Sequence, residues 1–231
     1  MMETVTEREP RGCVVVPAYR EAGRIGAVVR AIRTYLADVI VVDDGSPDDT
    51  GREAEAAGAV VIRHTVNQGK GAALATAFRE AGRRGFDFVI TLDGDGQHAP
   101  GDIPGFVREY RASGTPVLVG NRMGDVRSMP LVRWLTNRFM SWLLSREMGQ
   151  RVPDTQCGYR LYQLAAISGA TIQSARFAAE SEILMDLSHT GMVIGSVPVV
   201  TLYGTEKSKI HPLRDTVRFF SMLHRYRKRR R

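Results

Sequence analysis

Short runs of apolar and β-branched residues alternate along the chain with longer stretches in which apolar residues recur every three or four positions. The short runs predict buried strands, and the longer stretches predict amphipathic helices. Because strands and helices alternate, the order indicates successive βαβ units, and we expect an α/β fold with a mainly parallel central sheet flanked by helices. The predicted strands cover residues 13–16, 39–42, 60–62, 86–92, 117–119 and 193–199.

The predicted helices place their apolar residues on one face, which would pack against the sheet. In the first helix this face consists of Ile25, Val28, Val29, Ile32 and Leu36. The full set of predicted helices covers residues 25–36, 47–58, 69–84, 102–111, 128–148 and 180–189.

The chain has 231 residues, of which 43% are hydrophobic and 25% are charged, a composition typical of a globular domain. Neither an internal repeat nor a low-complexity linker divides it. We therefore expect a single domain over residues 12–210, an N-terminal extension over residues 1–11 and a C-terminal tail over residues 211–231.

The cysteine content and the hydropathy bear on the compartment. Cys13 and Cys157 have no CxxC spacing and cannot form a disulfide framework, which favours a reducing compartment. No apolar run approaches the ~18 residues of a membrane-spanning helix, and the charged N-terminus lacks the apolar centre of a signal peptide. We expect a cytoplasmic protein that is peripheral at the inner face of the membrane.

Most of the net charge of +7 lies in the tail, since residues 225–231 hold six of the 32 Lys and Arg residues. Leu213, Val217, Phe220 and Leu223 precede this cluster at near-helical spacing. The tail is therefore expected to lie on an anionic membrane surface, with a solvated basic terminus as the alternative. Nucleic acid is not an expected partner, because neither stacking aromatic residues nor a basic groove accompanies the cluster.

Candidate chemistry lies where two predicted strands end. Asp43 and Asp44 follow the second strand, and Asp93 and Asp95 follow the fourth. Because ligands bind beyond the carboxyl ends of parallel strands, we expect both pairs at one edge of the sheet. Two carboxylates separated by one glycine can converge on Mg²⁺ or Mn²⁺ and leave positions open for diphosphate oxygens. A solvated acidic turn is the alternative for a single pair.

Three other kinds of site do not fit the spacing. An EF-hand counted from Asp93 would need glycine and glutamate where the chain has His98 and Pro104. The glycines around Lys70 lack the spacing and the following Ser or Thr of a P-loop. No GxGxxG follows the first strand, so a dehydrogenase is not expected.

Four segments of the chain, VVVPAYREA, VIVVDDGSPDDT, NQGKGAALATAF and VITLDGDGQHAPGDIP, occur in the order and approximate spacing of a known family. They resemble the family 2 glycosyltransferases of GT-A fold and, more narrowly, the dolichol- or polyprenyl-phosphate sugar synthases. The resemblance extends from residue 13 to about residue 210. It implies a metal-dependent, inverting transfer of a hexose from a nucleotide sugar, of the GDP-mannose or UDP-glucose type, to a polyprenyl phosphate.

The resemblance also implies roles for single residues. Asp93, Asp95 and Gln97 match a site for Mg²⁺ or Mn²⁺, with Asp95 as the strongest candidate for a direct ligand. His98 is expected outside the metal shell. The residues expected to contact the nucleotide sugar are Pro17, Ala18, Tyr19, Glu21, Asp43, Asp44, Lys70, Asp93, Gly94 and Lys209.

Three residues are implied as catalytic: Asp95, Arg122 and Arg133. Arg122 matches an arginine near the donor phosphates. Arg133 and Asn137, four residues apart on one face of a predicted helix, match positions that meet the acceptor phosphate. A guanidinium group suits this task because it can bind a phosphate with two parallel hydrogen bonds.

Two later segments also resemble the family. The run DTQCGYR, at residues 154–160, matches a family motif, and GTEKSKI, with Lys207 and Lys209, matches a loop that closes over the diphosphate.

The nature of the acceptor decides between two mechanisms. A phosphate monoester, with a second pKa of ~6, is largely a dianion at neutral pH and needs cationic positioning more than a base. A hydroxyl group on a glycan or small molecule would need a carboxylate base, for which Glu180 or Glu182 is the candidate. Both glutamates can instead simply open a helix. A third hypothesis is a non-catalytic adaptor of the same fold that binds a membrane or RNA.

Overall fold

A seven-stranded sheet forms the centre of the protein. The structure is a computed structural model that describes residues 8–124, 129–167, 178–202, 219–221, 223–224 and 226–228. The strands are β1 (Gly12–Ala18), β2 (Val39–Asp43), β3 (Val60–Arg63), β4 (Phe88–Thr91), β5 (Val117–Asn121), β6 (Arg160–Gln163) and β7 (Ile194–Pro198). They stand in the order β3-β2-β1-β4-β6-β5-β7.

The sheet is mainly parallel, as the sequence predicts. Strand β6 is antiparallel to its neighbours β4 and β5, whereas the other four pairs of strands are parallel. The α/β class and the mainly parallel central sheet flanked by helices are therefore confirmed.

Helices follow most strands and pack on the sheet. The helix Ile103–Ser113 is followed by Gly114, whose φ of 64° lies in the left-handed region that glycine adopts without steric cost. A 3₁₀ turn at Pro100–Asp102 leads into this helix. The helices are α1 (Ile25–Arg33), α2 (Thr50–Ala56), α3 (Lys70–Arg83), α4 (Ile103–Ser113), α5 (Leu131–Met148), α6 (Leu164–Ile167) and α7 (Ala178–His189).

Strands β1 and β2 lie at the centre of the hydrophobic core. Residues 14–16 and 40–42 are each at most 1% exposed. Strands covered on both faces are continuously apolar, which is why their runs are recognisable in the sequence.

Strand β6 and helix α6 are not among the predicted elements. The four residues of β6, RLYQ, are too few and too polar to indicate a buried strand. This segment is a strand because it lies between β4 and β5 and pairs with both of them. Arg160 is 1% exposed there and donates hydrogen bonds to backbone carbonyl groups.

The described part of the tail is helical and packs on the domain. Phe219, Leu223 and Tyr226 are buried, whereas Phe220 is 46% exposed. Leu223, one of the four apolar residues in the predicted amphipathic spacing, therefore packs against the protein, and the contact of the tail with a membrane stays a prediction. Leu213 and Val217 lie outside the described residues.

Two polar contacts hold the end of the tail. The Tyr226 hydroxyl lies 3.1 Å from His189 Nδ1, at the end of α7. Arg227 Nε donates to Glu147 Oε1 of α5 over 3.1 Å. Within the described ranges, no helix is both long enough and apolar enough to cross a membrane.

Candidate active site

The acidic strand ends meet at one edge of the sheet, as expected. Pro17 and Ala18 of β1 lie opposite Val42 and Asp43 of β2 in the parallel register. Strand β4 pairs in parallel with the other side of β1, so Asp93, two residues beyond β4, reaches the same edge. The topology thus brings the two predicted acidic segments together.

A partly buried lysine neutralises the first aspartate of the DGD segment. Lys70, the first residue of α3, places its Nζ 2.6 Å from Asp93 Oδ1 and 3.1 Å from Glu180 Oε2. Glu180 lies in the first turn of α7, so this ion-pair cluster joins three elements that are far apart in the sequence.

The charges of this cluster stabilise one another. Burial by itself would lower the pKa of Lys70, but the attraction of Asp93 and Glu180 outweighs it and raises the pKa above its usual range. Burial likewise opposes the ionisation of Asp93, yet Lys70 and His98 together lower the pKa of this carboxyl group. Both Lys70 and Asp93 are therefore charged at neutral pH.

His98 is buried beside the cluster. Its Nε2 is 3.7 Å from Asp93 Oδ2, and its ring packs against Tyr159 with the centroids 5.2 Å apart. His98 also forms a backbone bridge with Thr201. This bridge attaches the chain beyond β7 to the acidic edge of the sheet.

Gly158 brings the segment 154–160 against the cluster. A Cβ atom at this position would lie 3.1 Å from Glu180 Oε1, 3.1 Å from Lys70 Nζ and 3.2 Å from Asp93 Oδ2. Glycine is therefore the residue that leaves the three charged groups undisturbed.

Arg160 holds this segment to α7, a role that is not among the sequence predictions. Its guanidinium group donates to the carbonyl oxygens of Thr155, Cys157 and Glu180 over 2.6–2.8 Å. The charged residue at the end of the DTQCGYR motif was the available signal.

Asp95 and Gln97 supply further oxygen atoms beside the cluster. Both are partly exposed, and Asp95 Oδ1 accepts a hydrogen bond from the backbone N–H of Gln97 over 3.0 Å. Carboxylate and amide oxygens suit Mg²⁺ or Mn²⁺. Among the described residues, no three His, Cys, Asp or Glu side chains are grouped to hold a metal alone, so a substrate's phosphate oxygens and water would have to complete the shell.

Asp44 has a structural role at the start of α3. Its carboxylate oxygens lie 2.7 Å from His64 Nδ1, 2.9 Å from the backbone nitrogen of Gln68 and 2.7 Å from the backbone nitrogen of Gly69. These contacts fix the start of α3, and hence Lys70. A contact between Asp44 and the nucleotide stays a prediction. Asp43 similarly accepts a hydrogen bond from a turn amide.

Tyr19 and Glu21, two further predicted nucleotide contacts, lie just after β1. Tyr19 is 38% exposed, whereas Glu21 is buried and pairs with Arg24 over 3.0 Å. A Cβ atom at Gly94 would lie 3.5 Å from Glu21 Cγ, so these two segments are in contact. Lys209 lies outside the described residues.

Arg122 is anchored inside the protein. Its Nε and Nη2 donate to the two carboxylate oxygens of Asp154 over 2.7 and 3.0 Å. Both residues of this ion pair are buried. The guanidinium group therefore binds a carboxylate of the protein, and its contact with a donor phosphate stays a prediction.

Arg133 and Asn137 lie one turn apart on α5, as predicted. Asn137 is buried and Arg133 is partly buried, so both lie on the protein-facing side of the helix. Both candidate bases, Glu180 and Glu182, are buried in α7, and Glu180 pairs with Lys70.

Comparison with known proteins identifies the family. Residues 13–169 match the profile of Glycosyl transferase family 2. The undecaprenyl-phosphate mannosyltransferase of Micrococcus luteus is 31% identical, with 82% of each chain covered. The UDP-N-acetylglucosamine–dolichyl-phosphate N-acetylglucosaminyltransferase of Methanococcus voltae is 30% identical, and the match covers 82% of this chain and 85% of that one.

A solved structure has the same fold. Glucosyl-3-phosphoglycerate synthase from Mycobacterium tuberculosis, in complex with UDP, superposes with a TM-score of 0.69 at 24% identity, over 87% of this chain and 74% of the synthase. Other crystal structures of that synthase contain UDP with Mg²⁺, or with Mn²⁺ and phosphoglyceric acid. Together with the sequence matches, the shared fold shows that this chain is a glycosyltransferase and belongs to glycosyl transferase family 2.

Proposed function

We propose that the protein transfers a hexose from a nucleotide sugar to a polyprenyl phosphate at the membrane surface, with a divalent metal ion and inversion at the anomeric carbon. The observation that carries the proposal is the joining of Asp93 and Asp95, after β4, with the ends of β1 and β2 at one edge of the sheet. The names of two relatives that are at least 30% identical, a dolichyl-phosphate and an undecaprenyl-phosphate glycosyltransferase, support the choice of acceptor.

The metal site would consist of Asp95 and Gln97, with Asp93 beside them. When bound, Mg²⁺ or Mn²⁺ would neutralise the charge that develops on the departing nucleoside diphosphate. Lys70 holds Asp93 in place through the 2.6 Å ion pair, which fixes the carboxylate before substrate binds.

The surroundings of Glu180 favour a phosphate acceptor over a hydroxyl acceptor. One oxygen of Glu180 is paired with Lys70 at 3.1 Å, so the carboxylate already serves as a counter-ion rather than as an isolated base. A phosphate monoester needs no base, because it is largely a dianion at neutral pH. We assign Arg133 and Asn137 to hold the acceptor phosphate.

The reaction then needs one displacement. An oxygen of the acceptor phosphate forms a bond to the anomeric carbon while the bond from that carbon to the donor diphosphate breaks. The electron pair of the broken bond leaves with the nucleoside diphosphate, and the configuration at the anomeric carbon is inverted.

The direct test is a transfer assay with purified protein, labelled GDP-mannose, UDP-glucose or UDP-N-acetylglucosamine, and a polyprenyl phosphate, with Mn²⁺ or with EDTA. We expect one donor to label the polyprenyl phosphate in the presence of Mn²⁺ and not in EDTA. The matched control acceptor is the unphosphorylated polyprenol, which should stay unlabelled. Labelling of the polyprenol, or transfer of sugar to the polyprenyl phosphate at the same rate in EDTA as in Mn²⁺, would contradict the proposal. The adaptor hypothesis instead requires that no donor bind.

A further inference from the structure

The outward side of α5 is apolar and exposed. Its five large apolar residues are between 50% and 66% exposed. We call this set the α5 outer face, and it consists of Leu131, Val132, Leu135, Phe139 and Trp142. Phe139 and Trp142 also stack on each other, with ring centroids 6.1 Å apart.

The exposed residues form one continuous stripe. At 3.6 residues per turn they fall within an arc of about 100° around the helix axis. The opposite side is buried and includes Asn137, Met140 and Leu144. Continuous exposed apolar patches of this kind mark interaction sites, because single exposed apolar residues are ordinary but clusters are costly in water.

The charges around the stripe identify the partner. Arg138 and Arg146 are exposed on the same side of α5, and the Arg138 guanidinium lies 5.2 Å from the centre of the Trp134 ring. The one acidic residue of α5, Glu147, is paired with Arg227 of the tail. An apolar stripe bordered by arginines complements an anionic bilayer surface. A symmetric dimer through this face would instead bring like charges together.

We propose that the α5 outer face inserts into the surface of an anionic lipid bilayer. The tail contributes Arg227, which pairs with Glu147 of the same helix, while its Leu223 stays buried in the protein. The inference deepens the proposed function and rests on it for one reason: the inward side of the same helix carries Arg133 and Asn137, our candidates for the acceptor phosphate. Insertion of the outer face would bring that site next to the lipid headgroups.

Tryptophan fluorescence tests the orientation directly. The chain has two tryptophans, so a Trp134→Phe protein reports on Trp142 alone. Trp142 is 56% exposed, and its emission should shift to shorter wavelength when vesicles of phosphatidylcholine with phosphatidylglycerol are added. Vesicles with brominated acyl chains should quench it. Unchanged emission in vesicles that bind the protein would overturn the proposal.

Vesicle flotation with matched variants tests the surface. The triple variant Leu135→Ser, Phe139→Ser and Trp142→Ser should bind anionic vesicles roughly tenfold or more weakly. The control variant replaces three equally exposed apolar residues elsewhere, Tyr35, Val66 and Val193, with Ser and should bind like the parent. Circular dichroism confirms that both variants are folded. Equal losses in both variants, or a dimer in size-exclusion chromatography that only the α5 variant abolishes, would overturn the proposal.

Transfer assays separate this proposal from the proposed function. The α5 triple variant should keep transfer to a short, water-soluble prenyl phosphate and lose transfer to a long-chain acceptor embedded in vesicles. If the parent protein binds vesicles through α5 but transfers sugar to neither acceptor, the proposed function fails and the surface stands. If it transfers to both but floats no better than the α5 variant, the surface proposal fails alone.

Discussion

Lys70 Nζ lies 2.6 Å from Asp93 Oδ1, so the first aspartate of the DGD segment is neutralised by a side chain 23 positions earlier in the chain. The lysine reaches it because α3 starts at Lys70, at the same sheet edge where β4 ends. The pair is partly shielded from water, with side-chain exposures of 14% and 29%. This arrangement fixes the acidic site electrostatically before any substrate binds.

Replacement of Lys70 by Met should destabilise the protein and abolish transfer. Two carboxylates would lose their shared cation, at a cost of about 2 kcal/mol at such a partly shielded site. Urea unfolding measures the loss, and initial rates with Mn²⁺ measure activity. Arg83→Met is the matched control, because Arg83 pairs with Glu80 on the surface of the same helix and should cost about 0.5 kcal/mol at most. Equal costs in the two variants would contradict the role of Lys70.

The stabilisation from this pair should depend on pH at the acidic end. The folded-state pKa of Asp93 is lowered, so its contribution is complete above the unfolded value of ~3.9 and is lost as the pH falls further. The pKa of Lys70 is raised, so its contribution is complete below ~10.4 and is lost only at higher pH. The difference in unfolding free energy between the parent and Lys70→Met should therefore stay constant from about pH 5 to 9 and narrow below about pH 4. A difference that grows on acidification would show that another group dominates.

Replacement of Gly158 by Ala should reduce activity more than stability. The added Cβ would press on Lys70, Asp93 and Glu180 at 3.1–3.2 Å and displace their charged ends. We expect a loss in kcat of roughly tenfold or more, with an unfolding cost of about 1–2 kcal/mol. Steady-state kinetics and urea unfolding give the two values. Gly82→Ala serves as the control, because a Cβ there meets no atom within 4 Å and should stabilise α3 by up to about 1 kcal/mol.

Replacement of Asp44 by Asn should separate a structural role from nucleotide binding. The variant weakens hydrogen bonds to His64 and to the amides before α3, which should cost about 1–3 kcal/mol. Calorimetry with UDP and GDP measures nucleotide affinity in parallel with thermal unfolding. An unchanged melting temperature together with lost nucleotide binding would favour the direct ribose contact that the family resemblance implies. His64→Ala should reproduce the stability loss.

The Asp95→Asn variant should lose metal-dependent activity while keeping its stability. Asp95 is partly exposed and accepts one local hydrogen bond, so the substitution should change the free energy of unfolding by no more than about 0.5 kcal/mol. Mn²⁺ binding, followed by electron paramagnetic resonance in the presence of UDP or GDP, should weaken at least tenfold. Unchanged Mn²⁺ binding would remove Asp95 from the metal site.

The sequence by itself determined all the strands but β6, all the helices but α6, and the edge of the sheet at which the acidic residues lie. Buried strands such as 14–16 and 40–42 are continuous apolar runs, and helices such as α1 repeat their apolar positions, so both are local signals. Parallel pairing then forces Asp43 and Asp93 to one edge. The motifs that carry the family resemblance are local as well.

Only the tertiary structure decided which groups meet. It inserted β6 antiparallel between β4 and β5, joined Lys70, Asp93 and Glu180, turned Leu223 inward and left Trp142 outside. Hydrophobic periodicity reports which residues avoid water but not which neighbour covers them. That choice depends on long-range packing, in which ion pairs and strand neighbours come from segments separated by tens of residues.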